Sequence, residues 1–255
     1  MRTLVALDFD WTLIDEDSDQ AVITLLPPNV HADLREKPYA SMQWTDKMNH
    51  IYGELHRSGC TREQITTVFT ALKLHSSMRT ALQLAKQTGA ADVVIISDSN
   101  TVAIQECLRA HQLDSVVSEV ITNESTWTPE GRLGVRRYVS AETPHGCTRT
   151  ALYKENPIPS CALNICKGRE LRRLRAGYDR VVYLGDGRND YCPGCELTSL
   201  DVYMPRRDRG LHAILSGPDG AAIQARTVYW THADDVLEEF ETIFAPLAAN
   251  KSQAP

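Results

Sequence analysis

Thr3-Leu4-Val5-Ala6-Leu7-Asp8-Phe9-Asp10-Trp11-Thr12 is a short apolar run that stops at two carboxylates one residue apart. Runs of this kind, near-continuous in hydrophobicity and closed by acidic or turn residues, mark strands buried on both faces. Asp92 to Ser97 and Arg180 to Gly185 repeat the pattern, with β-branched interiors and small or polar residues at the end. Three such runs with helical segments between them (Ser76 to Thr88, Asn100 to His111, Lys167 to Ala176) predict an α/β fold around a central parallel sheet. Shorter strands are expected at Val116 to Ile121, Asp201 to Met204 and Thr227 to Trp230. A last helix is expected over His232 to Phe244.

Roughly 80 residues separate the first two runs, far more than one crossover helix requires. Ser18 to Ala71 has helical spacing, and Pro27-Pro28, Lys37-Pro38 and Gly59-Cys60-Thr61 divide it into about four helices. The expected organisation is a core of residues 1–17 and 72–247, a helical cap of residues 18–71 inserted after the first strand, and a flexible tail over 248–255.

Open α/β sheets bind ligands at the carboxyl ends of their strands. Asp8 and Asp10 stand there, on one side of the chain if it stays extended. Two carboxylates about 4 Å apart repel by ~4 kcal/mol at an effective dielectric near 20, so the pair needs a cation or a shared proton. The third run leads into Gly185-Asp186-Gly187-Arg188-Asn189-Asp190, which adds further carboxylates. Hard oxygen ligands around an open position suit Mg2+. The same turn could also cap a helix through Asn189 or Asp190.

Asp8-Phe9-Asp10-Trp11-Thr12, Ile96-Ser97-Asp98, Lys167 and Gly185 to Asp190 together resemble, in order and spacing, the four motifs of the haloacid dehalogenase (HAD) superfamily phosphatases. The resemblance implies a Rossmann-like core. It makes Asp8 a nucleophile that becomes an aspartyl-phosphate. Asp10 would be the acid–base group, and Phe9, Ser97, Asp98 and Lys167 would receive the phosphate. Asp8, Asp186, Asp190 and the main-chain carbonyl of Asp10 would hold Mg2+. With an ordinary pKa of ~3.9, Asp8 would be ionised without a separate base.

Longer segments resemble the phosphoethanolamine/phosphocholine phosphatase family: Leu13 to Asp19, Ile95 to Asn100, Cys161 to Lys167, Gly187 to Pro193 and Met204 to Arg207. That family's relatives act on pyridoxal phosphate, thiamine monophosphate or pyrophosphate, which leaves these as alternative substrates. A mutase, or a catalytically inactive HAD-fold binding protein, are further alternatives; the full set Asp8, Asp10, Ser97, Lys167 and Asp186 argues against the inactive protein. The resemblance implies that Asp19 and Asp98, with Asn189 nearby, meet an amine, and Trp11, Trp44 and Tyr52 are candidate aromatic faces for a quaternary ammonium. The acids Asp15, Glu16, Asp17 and Asp19 could equally be a solvated helix start.

His145, Cys147, Cys161 and Cys166 supply an imidazole and three thiols, enough for a tetrahedral structural Zn2+. Thirteen residues (148–160) separate Cys147 from Cys161, however, where the family has a tighter Cys-x2-Cys. Free thiols are the alternative. Cys192-Pro193-Gly194-Cys195 reads as a first helical turn beside the fourth motif.

The formal charge of −6 gives no basic footprint for nucleic acid. No stretch has the length of a membrane span, and the amino-terminal apolar run is short for a signal peptide. Seven cysteines without such a signal favour reduced thiols and a cytoplasmic protein. The expected partner is a small phosphomonoester, with oligomeric state left open.

Overall fold

A computed structural model describes residues 1–34 and 38–251, and side chains through residue 245. Its centre is a six-stranded sheet built from β1 (Thr3–Leu7), β2 (Ala91–Asn100), β3 (Val117–Asn123), β8 (Arg180–Gly185), β9 (Val202–Pro205) and β10 (Arg226–Thr227). The strand order is β10-β9-β8-β1-β2-β3, and every pairing is parallel. β1 lies between β2 and β8, so Asp8 just after β1, Ser97 within β2 and Asp186 just after β8 come from neighbouring strands.

The five residues of β1 are all buried. Leu4 and Ala6 enter one apolar cluster with Ile165, Leu171 and Leu211. Val5 and Leu7 enter the other with Ala81, Leu82, Phe240 and Phe244. Alternation thus sends successive side chains into cores on opposite faces, which is why the run shows no polar gaps.

Between β1 and β2 come α1 (Ser18–Ile23), α2 (Pro28–Asp33), α3 (Trp44–Arg57), α4 (Arg62–Thr70) and α5 (Ser76–Gln87). A Thr61–Gln64 capping box starts α4, and the Asp17 carboxylate caps α1. After β2 comes α6 (Thr101–Ala110), capped by Asn100.

The stretch between β3 and the Lys167 motif carries no element in the sequence reading, yet it holds two hairpins. One is β4 (Ser125–Trp127) with β5 (Leu133–Val135); the other is β6 (Thr150–Tyr153) with β7 (Asn156–Pro159). Arg132, Val135 and Arg137 of the first hairpin and its exit bind Asn49 and Asp46 of α3. The second hairpin turns at Lys154 and Glu155, both with positive φ (50° and 67°). Such turns ordinarily advertise themselves with Asn or Gly, so this one left no signal.

The carboxyl-terminal half adds α7 (Lys167–Leu174), α8 (Tyr191–Gly194), α9 (Gly210–Leu215) and α10 (Ala233–Lys251). Of the strand expected at Thr227 to Trp230 only Thr227 is ladder-paired, with Arg226 before it, and a single bridge from Arg206 reaches Trp230. α10 runs to Lys251, into the stretch expected to be a tail, and residues 252–255 of that stretch lie outside the described residues. Among the described residues no helix is long and apolar enough to cross a membrane.

Candidate active site

Past Leu7 the chain leaves the sheet. Phe9–Leu13 forms a single wide helical turn in which Trp11 has φ 56°. Asp8 and Asp10 are therefore not two positions of one strand, and their carboxylates diverge. Asp8 accepts the Phe9 N–H (2.7 Å) and lies 2.5 Å from the Lys167 ammonium. Asp10 accepts the Ser18 N–H (2.7 Å) at the start of α1. The left-handed Trp11 is held on both sides: Arg206 donates to its carbonyl (2.6 Å), and the Arg209 guanidinium lies 3.7 Å from its ring centroid. Cation–π stacking and a carbonyl clasp give Trp11 a positioning role that its sequence left unexplained.

Lys167 is the first residue of α7 and is fully buried. Its ammonium bridges Asp8 and Asp190 (2.9 Å). Asp190 precedes α8 but caps nothing there. Its two oxygens accept from Lys167, from the Tyr183 hydroxyl (2.7 Å) and from the amides of Asp186 (3.1 Å) and Gly187 (2.9 Å). Gly185 makes this possible, because a Cβ there would lie 2.4 Å from the Asp190 Cγ. Asp190 is thus fully subscribed as an acceptor, whereas among the described residues Asp186 accepts only from the Thr12 hydroxyl (3.3 Å).

Charge balance tests whether a cation belongs here. Oxygens of Asp8, Asp186 and Asp190 lie within 4.8 Å of one another. Burial pushes the Asp8 carboxyl well up, against the pull of Lys167, and Asp190, Asp98 and Asp186 push it further. Burial and Asp190 likewise raise Asp186 to about 7. Burial alone would lower Lys167, but Asp190 and Asp8 hold it above its ordinary value. One ammonium does not neutralise three buried carboxylates, so an ionised Asp8 needs a second cation beside it. A hard dication among oxygen donors fits the deficit.

Ser97 lies in the last part of β2, buried, and its hydroxyl accepts the Ser99 N–H (3.3 Å). Asn189 donates to Asp98 (3.4 Å). The acidic run divides: Asp15 pairs with Arg206, Glu16 accepts the Lys73 N–H, and Asp17 caps α1. Asp19 is left over, 6% exposed, accepting the Trp44 indole N–H (2.7 Å). Tyr52 is fully buried, its hydroxyl accepting from Asn100 (3.3 Å).

Sequence reasoning missed a buried amide network behind these groups. Asn123 donates to the carbonyls of Asp98 (2.6 Å) and Ser99 (2.8 Å), while Asn164 donates to Asn123 (2.5 Å) and to Thr45 of α3 (3.0 Å). It ties α3, the end of β2 and the approach to Lys167 together. Asn164 stands three residues before Lys167, yet no local pattern names its partner 41 residues away.

A family model described as Putative Phosphatase matches residues 3–243. The chain belongs to this family. Pyridoxal phosphate phosphatase PHOSPHO2 of Mus musculus is 30% identical to it over 94% of this chain and 98% of the relative. Phosphoethanolamine/phosphocholine phosphatase of Homo sapiens is 29% identical over 92% of this chain and 86% of the relative. An apo phosphoserine phosphatase crystal structure has the same fold, with TM-score 0.59 at 12% identity, covering 93% of this chain and 98% of that one. The protein is a HAD-type phosphatase, a phosphoric monoester hydrolase.

Proposed function

We propose that the protein hydrolyses small phosphorylated amines, with Mg2+, through a phosphorylated Asp8. The observation that carries the substrate class is an acid cluster in which Asp19 is buried and Asp10, Asp17 and Asp98 are partly buried. Among the described residues none of these four forms a salt bridge; they meet backbone amides, an indole N–H and an amide side chain. A cluster of carboxylates set aside from the phosphate-binding Lys167 suits an ester whose far end is cationic.

The two motif carboxylates divide the work by environment. Asp8 faces Lys167 and attacks phosphorus, forming the Asp8–phosphorus bond as the ester oxygen leaves. Burial, then Asp19 and Asp17, push the Asp10 carboxyl well up. That shift suits Asp10 to give a proton to the leaving oxygen and afterwards to take one from the water that hydrolyses the acyl phosphate. Ser97, Lys167 and the amides near Phe9 and Asp98 receive the phosphate oxygens. Asp8, Asp186 and the Asp10 carbonyl would hold Mg2+, with Asp190 orienting Lys167; the ion supplies charge neutralisation at the phosphoryl group. Helices within residues 18–71 act as the cap, since Asp8, only 5% exposed, needs them to move for substrate to enter.

Ethanolamine suits the site better than choline. An N–H donor to Asp19 contributes ~1.5–3 kcal/mol, which a quaternary ammonium cannot make. The aromatic faces offered by the sequence are also taken: Tyr52 is buried, Arg209 covers Trp11, and the Lys47 ammonium lies 5.8 Å from the Trp44 ring centroid.

Phosphate release from a panel of esters, with Mg2+ and with EDTA, tests the reading. Turnover should vanish in EDTA, return with Mg2+, and be highest on phosphoethanolamine. A higher kcat/KM on pyridoxal phosphate, thiamine monophosphate or pyrophosphate would end the amine reading. Asp19→Asn should cost roughly 10- to 100-fold in kcat/KM on phosphoethanolamine and little on a neutral ester; equal effects on both would dismiss Asp19.

Asp19 also predicts a pH effect on stability. Burial, with Asp17 and Asp98, raises it to about 7 against the pull of Trp44. Between ~4 and 7 the folded chain holds a proton there that the unfolded chain has lost, so this group's burial costs stability increasingly as pH rises through that window. Asp19→Asn should raise Tm relative to wild type at pH 7.5 and have little effect at pH 4.5; thermal melts at the two pH values check the sign.

A further inference from the structure

Beside the start of α7, whose N-cap is Cys166, four sulfurs converge. Cys161 Sγ lies 3.5 Å from the Sγ atoms of both Cys147 and Cys166, and Cys192 Sγ lies 3.9 Å from Cys147 and 3.7 Å from Cys166. All four lie within 4.8 Å of one another. Four thiolates on a tetrahedral Zn2+, each at ~2.3 Å, stand roughly 3.8 Å apart along every edge of the tetrahedron. The observed separations bracket that length. They are long for a disulfide, and the mutual closeness of all four suits one central ion better than a cluster of several irons.

We propose that Cys147, Cys161, Cys166 and Cys192 form a structural Zn2+ site that fixes the segments carrying Lys167 and Asp190. The thirteen residues between Cys147 and Cys161 are no obstacle. They fold as the β6–β7 hairpin, whose base pairs Thr150 with Pro159 and is extended by the Ser160 N–H to the Arg149 carbonyl (3.0 Å). The hairpin returns the chain to its starting point, so Cys161 arrives beside Cys147 as it would after a short turn.

His145, expected from its position to be a ligand, is engaged elsewhere. Its Nδ1 accepts the Cys147 N–H (3.0 Å), and its Nε2 donates to the Ala162 carbonyl (2.8 Å). Cys192 takes the fourth corner from a different motif. Soft thiolates select zinc over magnesium, so the two metal positions do not compete. The Arg169 N–H donates to Cys166 Sγ (3.4 Å), and a cleft of about 480 Å3, lined by Arg149 and Arg172 with their shared partner Glu196, adjoins the sulfurs and leaves a path for the ion.

The position explains what the ion does. Cys166 is the residue before Lys167, and Cys192 is two residues after Asp190. The two segments meet so closely that a Cβ on Gly168 would lie 2.6 Å from Cys192 Sγ. One ion thus clamps both ends of the Lys167–Asp190 pair.

The test is metal content of the full chain purified without added metal or chelator. About one zinc per chain is expected, lost in Cys161→Ser and Cys192→Ser and kept in His145→Ala and Cys195→Ser. Wild-type protein made in cobalt medium should show intense thiolate-to-cobalt charge-transfer absorption, a readout that does not depend on any variant folding. Zinc below roughly one atom per three chains, iron in its place, or a Cys147–Cys161 disulfide in native digests would overturn the assignment. So would zinc retained in Cys192→Ser and lost in His145→Ala.

Discussion

Asp8→Asn protein should fold, bind Mg2+ weakly, and hydrolyse its best ester at least ~10^4-fold more slowly than wild type, the order seen when a covalent nucleophile is removed. An amide oxygen is a poor nucleophile toward phosphorus, and the remaining residues can bind the ester without forming the bond. The fold should not suffer. Asn can still accept the Phe9 N–H, Lys167 keeps Asp190, and the carboxylate removed is one whose charge burial disfavours. In EDTA the variant should melt no lower than wild type, and somewhat higher at pH 7. Single-turnover phosphate release, with melting curves on the same preparations, separates the two effects. Residual activity within 100-fold of wild type would move the nucleophile elsewhere; a collapse in Tm would assign Asp8 a structural role first.

Asp8, Ser97 and Asp186 were legible because each follows a buried apolar run. Leu7, Ile96 and Gly185 close apolar runs that only a two-faced sheet explains, and the next polar residue in each case falls at the ligand-binding end. What local pattern could not supply was the partner of each group. The acids at 15–17 look like the acid at 19, but Arg206, the Lys73 amide and the start of α1 use up the first three. Those partners lie up to 191 residues away. Asn123 and Asn164 carry no local signal, although each is buried and bonded across the fold. Cys192 looked like half of a Cys-x2-Cys, while its sulfur neighbours are 26 and 45 residues upstream. The β6–β7 hairpin was hidden by its chemistry, with Lys and Glu at positive φ and two prolines in its second strand. Periodicity reports which face a residue buries, and long-range polar pairing has no period.

Lys167→Met should be the most damaging substitution to stability as well as to rate. Methionine keeps the length and most of the apolar stem of a side chain that is fully buried. What it deletes is the one cation between Asp8 and Asp190. Breaking a buried ion pair from one side costs ~3–5 kcal/mol, because the stranded carboxylates cannot reach water. Asp190 would keep Tyr183 and two amides, so Asp8 and Asp186 bear most of that cost. The penalty should therefore depend on pH and on metal. It should be largest in EDTA at pH 8, where the carboxylates are driven to ionise, and smaller at pH 5, where they can take up protons. Saturating Mg2+ should recover part of it by supplying the missing charge from the other side. Turnover should stay ~10^2–10^3-fold down even then, because a donor aimed at the phosphate oxygens is gone. Denaturant melts at pH 5 and 8, each with and without Mg2+, would show this as a double dependence. A stability loss equal in all four conditions would mean that Lys167 is felt through packing alone, and that the charge deficit assigned to Asp8, Asp186 and Asp190 is filled by something other than a lysine and a metal.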